Sequence, residues 1–301
     1  MIDLPSPRQL RYLVAIADTG GFGRAAQRCN VTQSTLSAGI KELETTLGTT
    51  LVERSRKGVT FTPVGEQVLE RARRLLAEAE DLVELAKGSA EPLVGPLRVG
   101  VIPTVAPYLL PKLLPRLRRR FPKLQPFLVE ERTAALVEQL EGGTIDVALL
   151  AFPYELPRLA AFDCFEDRFL FAAPKDHPLL ATRSVKLDDL SGETVLLLAE
   201  GHCLREHALS VCRFDTRDQA RAVEATSLST LIQMVDSGLG VTLLPKLAVD
   251  AGALRGTRIE TRPVADREAL RRIGLAWRPS SARAAHYRLL GEAIRDVVAK
   301  T

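Results

Sequence analysis

The stretch GRAAQRCNVTQSTLSAGIKELETTLG, residues 23–48, predicts two short helices joined by a tight turn. The first helix covers about residues 23–29, and Asn30 and Val31 form the turn. Thr32 can cap the next helix, because its hydroxyl can accept a hydrogen bond from an amide of the first turn. The apolar residues of that next helix recur at helical spacing and share one face: Leu36, Ile40, Leu43 and Leu47.

The opposite face of this second helix carries short polar side chains and one cation: Gln33, Ser34, Thr35, Ser37 and Lys41. Such a face can enter the major groove of duplex DNA, where Gln33 can read an adenine with two hydrogen bonds. The hydroxyl groups can bond to bases or phosphates. Several cations are placed to neutralise phosphates: Lys41, Arg54, Arg56 and Lys57. On these residues alone, a small helical core with a solvated charged face stays open as the alternative.

The flanking sequence predicts further elements of the same domain. Leu10 and Leu13 lie in a helical pattern that ends at Gly20 and Gly21. Residues 51–62 contain two β-prone stretches around a basic Lys-Gly turn, which suggests a hairpin. Residues 1–62 hold eight basic and five acidic side chains, and this mild excess of positive charge permits nucleic-acid binding without demonstrating it.

A long helix is predicted over about residues 64–87, with Pro63 in its first turn. Its apolar residues alternate steps of four and three: Val68, Ala72, Leu75, Ala79, Leu82 and Ala86. This spacing is a heptad seam, so another helix should pack against it. A second copy of the chain is the simplest partner, and docking of the seam on its own domain is the alternative.

Beyond a linker at residues 88–92, predicted strands and helices alternate. The first cycle is a strand at 97–102, an amphipathic helix at about 110–121 and a strand at 127–129. This order predicts an α/β domain with a parallel sheet. We therefore expect a DNA-binding domain at 1–62, a linker and dimerisation helix at 63–91, and a regulatory domain at 92–301.

Residues 8–66 resemble the N-terminal domain of LysR-type transcriptional regulators. The matching residues are Ala25-Ala26, Gln33-Ser34, Leu36-Ser37, Ile40, Leu43-Glu44, Leu47-Gly48, Leu51, Arg54 and Thr62-Pro63-Val64-Gly65. The resemblance implies a winged helix-turn-helix in which residues 33–44 form the recognition helix and Lys57-Gly58 lies in the wing. One departure is Ser34, where many members have proline, and both residues suit a first helical turn.

The rest of the chain resembles the same family through Gly238-Leu239-Gly240-Val241-Thr242-Leu243-Leu244-Pro245. The resemblance implies a two-lobed regulatory domain of the periplasmic-binding-protein type (type 2). Lobe I is expected at about 96–166 plus 271–301, and lobe II at about 167–270. The chain should cross between the lobes near residues 165–169 and 267–272, with an effector bound between them.

Composition narrows the class of protein. The 301 residues are 46% hydrophobic and 26% charged, with a net charge of +4, which fits a folded protein of two or more domains. No apolar run is long enough to span a bilayer, and the first residues lack the layout of a signal peptide. We expect a cytoplasmic homodimer or homotetramer that binds double-stranded promoter DNA, contacts RNA polymerase as an activator, and has no membrane partner.

Residues 200–212 form the most unusual stretch, because they hold two of the four cysteines and two of the four histidines: Cys203, Cys212, His202 and His207. Cys203 follows a glycine near a predicted helix start, where main-chain amides favour an anion such as a thiolate. Arg205, and either histidine if protonated, would favour the thiolate further. Cys212 lies nine residues on as a candidate resolving thiol.

Helical geometry links a disulfide in this stretch to a conformational change. Nine residues of helix span roughly 13 Å, whereas a disulfide needs Cα atoms about 4.4–6.8 Å apart. If residues 203–212 are helical when reduced, a Cys203–Cys212 bond requires that they be remodelled.

Three other interpretations of this stretch stay open on the residues alone. The two cysteines and two histidines could bind zinc, although His202 and Cys203 are adjacent rather than at metal-site spacing. His202 and Cys203 could form a Cys–His catalytic pair, although adjacent side chains seldom point at each other. Both thiols could also be structural residues beneath a pocket for a small organic metabolite.

The stretch Gly201-His202-Cys203-Leu204-Arg205 with Cys212 resembles the redox segment of the peroxide-sensing branch of the LysR family. Ile102-Pro103-Thr104, Pro107-Tyr108-Leu109-Leu110-Pro111 and Phe121-Pro122-Lys123-Leu124 resemble that branch as well. The resemblance implies a peroxidatic Cys203 and a resolving Cys212, joined by a reversible disulfide. It also assigns peroxide-binding residues, to which we add the neighbouring cation: Thr104, Thr133, His202 and Arg205.

We therefore expect a hydrogen-peroxide sensor that needs no cofactor or metal and is not an enzyme. The alternative is a LysR-type regulator of a small organic metabolite with inert cysteines. A peroxidase-like enzyme is a third class, against which the DNA-binding segment argues. Cys164 should be structural, and the role of His207 is left open.

Overall fold

The computed structural model describes residues 3–55, 58–87, 92–212 and 224–300. The chain divides into two compact units. The first consists of residues 1–90 with the short segments 141–144 and 280–283, and the second contains the remainder.

The first unit is a group of helices followed by a hairpin and a long helix. Its elements are α1 (Pro7–Thr19), α2 (Phe22–Arg28), α3 (Gln33–Leu47), β1 (Val52–Ser55), β2 (Gly58–Phe61) and α4 (Pro63–Lys87). Gly20 ends α1 in the left-handed conformation, with φ of 68°, and Thr32 caps α3. The two helices and tight turn predicted at residues 23–48 are confirmed, as is the hairpin.

Two glycines of the first unit allow its elements to pack closely. A Cβ atom on Gly39 of α3 would lie 2.8 Å from the ring of Tyr12 in α1. A Cβ atom on Gly65 would overlap the main-chain carbonyl of Leu51, so only glycine lets the start of α4 approach the hairpin. The Thr62 hydroxyl caps this turn by accepting from the Gly65 amide at 2.9 Å.

The heptad seam of α4 has two different environments. Ala72 is buried and Val68 packs on the core that α1 to α3 form, which is the docking on its own domain that was left as the alternative. Leu75 and Leu82 are exposed, at 57% and 68% of their surface. The first part of the seam therefore serves its own domain, and the later leucines are available to a partner.

The second unit begins with alternating strands and helices. These are β3 (Gly95–Val101), α5 (Ala106–Arg120), β4 (Leu124–Glu130), α6 (Thr133–Glu141) and β5 (Val147–Phe152). β3 lies between β4 and β5 and is parallel to both, as predicted. The chain ends in β11 (Leu270–Trp277) and a helix, α10 (Ala284–Val298), which packs on this part of the sheet.

A long strand, β6 (Ala160–Pro174), changes partners halfway along its length. Through Arg168 it pairs with β11, and beyond that residue it pairs with β9 (Thr242–Pro245) and with β10 (Ile259–Pro263). All three pairings are antiparallel, and β11 is also antiparallel to β5, so the prediction of a parallel sheet is wrong for these strands. The change of partner falls where the sequence places the first crossing between lobes.

The remaining elements gather around the second half of β6. They are β7 (Leu197–Leu198), α7 (Cys203–Cys212), β8 (Glu224–Ala225), α8 (Leu228–Asp236), α9 (Lys246–Asp250) and β10 (Ile259–Pro263), with two short 3-10 helices. One hydrophobic core surrounds β3, β5 and β11, and a second surrounds the later part of β6. The described part of the chain contains no helix that is long and apolar enough to cross a membrane.

Candidate functional site

The first turn of α3 presents the polar residues that sequence analysis assigned to DNA. The Thr32 hydroxyl caps the helix by accepting from the Thr35 amide at 3.2 Å, and it also bonds the hydroxyls of Ser34 and Thr35. Gln33, Ser34 and Thr35 are exposed. Lys41 is exposed two turns later, whereas Ser37 is half-buried. The helix therefore exposes a polar face, while its opposite, apolar face packs in the core of the domain.

Glu44, which sequence analysis treated only as part of a motif, fixes the hairpin to α3. Its carboxylate accepts from the main-chain amides of Leu51 at 2.8 Å and Val52 at 3.1 Å. The predicted DNA contacts Arg56 and Lys57 lie outside the described residues, as does the side chain of Arg54. Glu44 thus sets where the wing begins.

A second candidate site is a cluster of buried polar side chains in the other unit. Of the described residues, ten polar or charged side chains are buried, and six of them belong to this cluster: Thr104, Thr133, Asp167, His202, His207 and Arg271. Cys203 is buried with them, with 5% of its surface exposed. Because burial of polar groups is costly without partners, such a concentration marks a site where chemistry is expected.

Arg271 is the central cation of this cluster and is fully buried. Its guanidinium donates from Nε and NH2 to Asp167 Oδ2, at 3.1 and 2.9 Å. It also donates to the hydroxyl of Thr104 at 2.7 Å and to the Thr104 carbonyl at 3.1 Å. Arg271 and Asp167 face each other across β11 and β6, so the crossing strands themselves position this ion pair.

Cys203 is the first residue of α7, and its sulfur experiences opposing influences. Burial raises the pKa of the thiol, whereas the charge of Arg271 and the Thr133 hydroxyl lower it. Thr133 Oγ1 is buried without a hydrogen-bond partner of ordinary geometry among the described residues, yet it lies close enough to favour the thiolate. The cluster therefore holds one nucleophile and a hydroxyl still able to bond to a ligand.

The histidines do not supply the positive charge that sequence analysis expected near Cys203. Burial lowers the pKa of His202, and the nearby Arg132 lowers it further. Burial also lowers the pKa of His207. Both rings therefore favour their neutral form, and His202 Nε2 is buried with no hydrogen-bond partner among the described residues.

Arg205 does not act on the thiol as expected. Its NH1 group donates to the Glu224 carboxylate at 2.6 Å and to the Leu198 carbonyl at 3.1 Å, both outside the cluster. Arg271, rather than Arg205, is the cation whose charge reaches Cys203. The expected depression of the Cys203 pKa by Arg205 and the histidines is therefore wrong for this form of the protein.

The condition that residues 203–212 are helical is met, since α7 covers Cys203–Cys212. Its length places the two ends roughly 13 Å apart along the axis. The side chain of Cys212 lies outside the described residues. Closure of a disulfide between these positions requires that the helix be remodelled.

The other described cysteines lie apart from this cluster. Burial raises the pKa of Cys164 to about 12, so its thiol stays protonated, in keeping with a structural role. Burial also raises the pKa of Cys29, which lies at the end of α2. The part of the chain that the structure describes contains no group of three or more histidine, cysteine or acidic residues arranged to hold a metal ion.

Arg271 and Asp167 were not singled out by sequence analysis. They are 104 positions apart, and only the pairing of β6 with β11 brings them together. The sequence did contain a signal for these two residues. Each is a charged residue beside an apolar strand, at a place where the chain is expected to cross between lobes, and such a residue is a candidate for a buried charge.

Two known family profiles match the chain and together cover almost all of it. Residues 7–66 match the family described as "Bacterial regulatory helix-turn-helix protein, lysR family". Residues 90–299 match the family described as "LysR substrate binding domain".

Relatives that are similar over most of the chain include transcriptional regulators with different names. The HTH-type transcriptional regulator EstR of Acinetobacter baylyi is 45% identical over 85% of this chain and 84% of its own length. The DNA-binding transcriptional dual regulator OxyR of Escherichia coli K12 is 42% identical over 96% of this chain and 94% of its own. A probable hydrogen peroxide-inducible genes activator of Streptomyces viridosporus is 42% identical over 98% of this chain and 95% of its own.

Similar solved structures also cover nearly the whole chain. A full-length OxyR of Pseudomonas aeruginosa, carrying a cysteine-to-aspartate substitution, has a TM-score of 0.83 and 38% identity, covering 97% of this chain and 98% of that one. A hydrogen-peroxide-bound cysteine-to-serine mutant of Corynebacterium glutamicum OxyR has a TM-score of 0.68 and 36% identity, covering 100% of this chain and 94% of that one.

Proposed function

Because the chain belongs to the LysR family of transcriptional regulators, we propose that it is a hydrogen-peroxide-sensing, DNA-binding regulator switched by a reversible Cys203–Cys212 disulfide. One observation carries this proposal. Cys203 is buried in a polar cluster with a cation, Arg271, and with the Thr133 hydroxyl, both of which favour the thiolate, at the start of a helix whose other end is Cys212. The relatives named for peroxide and the peroxide-bound neighbour support the choice of oxidant.

The first step is attack by the Cys203 thiolate on peroxide held by polar groups of the cluster. Thr104, Thr133 and His202 are the groups that can bind and orient the oxygens. The sulfur attacks one oxygen, the O–O bond breaks, and the sulfur becomes a sulfenic acid. The other oxygen leaves as hydroxide and takes up a proton, so peroxide is reduced to water. Arg271 favours the thiolate on which the step depends.

The second step converts oxidation into a change of shape. The Cys212 thiolate attacks the sulfenic sulfur, an S–S bond forms, the S–O bond breaks, and hydroxide leaves to become water. Since the ends of α7 are too far apart for this bond, the helix must be remodelled first. The rearranged lobe then changes how the regulatory domains pack, and with them the spacing of the DNA-binding domains on a promoter.

The output is binding of duplex DNA by α3 and the wing. Gln33, Ser34, Thr35 and Ser37 are proposed to contact the bases or adjacent phosphates. The phosphate contacts are assigned to the cations: Lys41, Arg54, Arg56 and Lys57. We also propose a homodimer or homotetramer that acts on RNA polymerase as a transcription activator in the cytoplasm, where the chromosomal DNA lies.

The limits proposed for the domains follow the sequence patterns. The DNA-binding domain occupies 1–62, the linker and dimerisation helix 63–91, and the regulatory domain 92–301. Within the regulatory domain, the two hydrophobic cores support two lobes that meet along β6 and β11.

A second candidate function is regulation by a small organic metabolite with inert cysteines. One observation favours keeping it: EstR, a relative at 45% identity, carries a name that does not mention peroxide. This candidate predicts that one compound of a metabolite panel strongly stabilises the protein against heat, and that peroxide leaves Cys203 and Cys212 unlinked.

The test is peptide mapping of the reduced full-length protein after substoichiometric peroxide. We expect a Cys203–Cys212 disulfide, and a Cys203→Ser variant that binds DNA but no longer responds to peroxide. Cys164→Ser is the matched control, because its buried, protonated thiol should leave the response unchanged. A folded protein without the Cys203–Cys212 bond, or a normal response from Cys203→Ser, would overturn the redox mechanism.

A further inference from the structure

We propose that Arg132 and His207 are positioning residues that hold α7 in its reduced position and thereby set how readily the disulfide closes. The inference rests on the proposed function, since it concerns the remodelling of α7. It concerns two contacts, Arg132 with Glu200 and His207 with Pro153, which we call the two clamps. Arg132 was not singled out from the sequence, and the role of His207 was left open there.

The first clamp ties the segment before Cys203 to the turn at the start of α6. Arg132 immediately precedes α6, and its NH1 group donates to the carbonyl of Glu200 at 3.1 Å. Gly201 beside it has φ of +84°, and a Cβ atom there would lie 3.3 Å from Arg132 NH1. The guanidinium is therefore fitted closely against the main chain that leads into the redox cysteine.

The second clamp ties α7 itself to the end of β5. His207 lies one helical turn after Cys203 and is buried, with 6% of its surface exposed. Its Nε2 atom lies 3.3 Å from the carbonyl of Pro153, which directly follows β5. Because a carbonyl only accepts, this nitrogen carries the proton and donates it.

Both clamps should be broken when α7 is remodelled. Each joins a residue of segment 200–207 to a segment that directly follows one of the parallel strands, β4 for Arg132 and β5 for Pro153. His207 lies within residues 203–212, so its contact is lost when they rearrange. Glu200 lies three residues before Cys203, so the same rearrangement displaces the carbonyl that Arg132 holds. Loss of the two contacts therefore opposes closure, and removing them should favour the disulfide.

The clamps act on the second step and not on the first. The charges and hydrogen bonds that set the pKa of Cys203 come from Arg271, Thr133, Glu206 and the adjacent main chain. Arg132 and His207 are not among them. Arg132 does lower the pKa of His202, but burial is the larger cause, so that ring stays neutral without Arg132. His207 lies in the buried cluster but is not one of the groups proposed to bind peroxide. A variant of either clamp should therefore leave peroxide attack almost unchanged while it alters disulfide formation.

The experiment compares two variants that lose the donor, Arg132→Met and His207→Leu, in the reduced full-length chain. Rapid-quench trapping of the sulfenic acid gives the rate of attack, and mapping of the disulfide over time gives the rate of closure. Equilibration with dithiothreitol gives the redox balance. Arg183→Met, an exposed arginine in another loop, is the matched control. Arg132→Lys and His207→Gln keep a donor and test for rescue.

We expect each donor-lacking variant to close about three- to tenfold faster and to shift the dithiothreitol equilibrium toward the disulfide by a similar factor, the size of one hydrogen bond. The attack rate should change by less than about twofold, and the conservative variants should restore most of the parent behaviour. If both donor-lacking variants closed the disulfide at the parent's rate and had the parent's dithiothreitol equilibrium, this inference would be overturned while the proposed function stood. The same holds if attack and closure were slowed equally. A parent chain that forms no disulfide would overturn the proposed function and this inference with it.

Discussion

Two influences act in opposite directions on the pKa of Cys203: burial raises it, and the charge of Arg271 lowers it. That arginine can be buried only because Asp167 neutralises it and Thr104 accepts two of its hydrogen bonds. Removing one partner of a buried ion pair typically costs about 3–5 kcal/mol of folding free energy. The same contacts therefore stabilise the fold and activate the thiol, which is why substitutions of Arg271 are poor probes of reactivity.

Thr133 offers a cleaner probe at the residue scale. Its hydroxyl lowers the pKa of Cys203 and has no other hydrogen-bond partner of ordinary geometry among the described residues. Thr133→Val keeps the shape and removes the hydroxyl, so the thiolate should form less readily. We expect the rate of sulfenic acid formation to fall about tenfold, equivalent to about 1.4 kcal/mol, as measured by rapid-quench trapping.

Thr242→Val is the matched control for this prediction. Thr242 is also a buried threonine, and its hydroxyl donates to the Leu196 carbonyl at 2.8 Å rather than contacting Cys203. It should lower stability and leave the attack rate unchanged. Equal effects of the two substitutions on that rate would exclude a specific role for Thr133.

At the scale of single elements, the two helices to which we assign function were predictable to different degrees. Helix α3 follows from local signals, since Thr32 caps it, Gly48 ends it, and its apolar residues repeat at helical spacing. For α7 the sequence predicted a start near Cys203, and a helix to Cys212 was only a condition, which the structure meets, but the surroundings of the helix were not predicted. The pairing of β6 with β11 brings Arg271, whose charge acts on Cys203, to Asp167, and a contact between residues 104 positions apart leaves no local pattern in the sequence.

The expectation that Arg205 and the histidines lower the pKa of Cys203 failed for the same reason, because contacts between distant parts of the chain leave no local pattern in the sequence. The neighbours of Cys203 in sequence, His202 and Arg205, suggested positive charge, whereas folding buries the former in neutral form and turns the latter toward Glu224. A pKa depends on three-dimensional burial, which residue order does not reveal. The proposed reactive residue, Cys203, could therefore be named from the sequence, whereas the cation that favours its thiolate could not.

The exposed face of α3 makes a prediction about DNA recognition. Gln33→Ala should weaken binding to the cognate operator by about 1–3 kcal/mol and relax the preference at one base pair. Lys41→Ala should weaken binding to all sequences alike and reduce the salt dependence by about one counterion. Fluorescence anisotropy over a range of salt concentrations separates the two effects.

Gln67→Ala provides the control for this comparison, because Gln67 is an exposed glutamine on α4 rather than on the recognition helix. It should bind both DNAs as the parent does. If Gln33→Ala lost affinity for operator and random DNA equally, direct base reading by Gln33 would be excluded.

At the scale of the whole molecule, the exposed leucines of α4 bear on assembly. Leu75 and Leu82 lie in the predicted heptad seam and keep 57% and 68% of their surface exposed in the single chain. Burying them against a second copy would remove apolar surface from water. We expect Leu82→Asp to shift the protein toward smaller species in sedimentation velocity.

Leu4→Asp is the control for assembly, since Leu4 is 81% exposed but lies outside the seam. It should sediment as the parent does. An unchanged assembly in Leu82→Asp, and in the double variant with Leu75→Asp, would argue that the seam does not mediate association.

The central claim is that peroxide, acting through Cys203 and Cys212, changes how the assembled protein lies on DNA. The most direct measurement is a DNA footprint of the parent and of Cys203→Ser on the same promoter, each before and after peroxide. The mechanism predicts two footprints of different length for the parent and one unchanged footprint for the variant. Footprints of equal length for the parent in both redox states, with the disulfide verified, would contradict it.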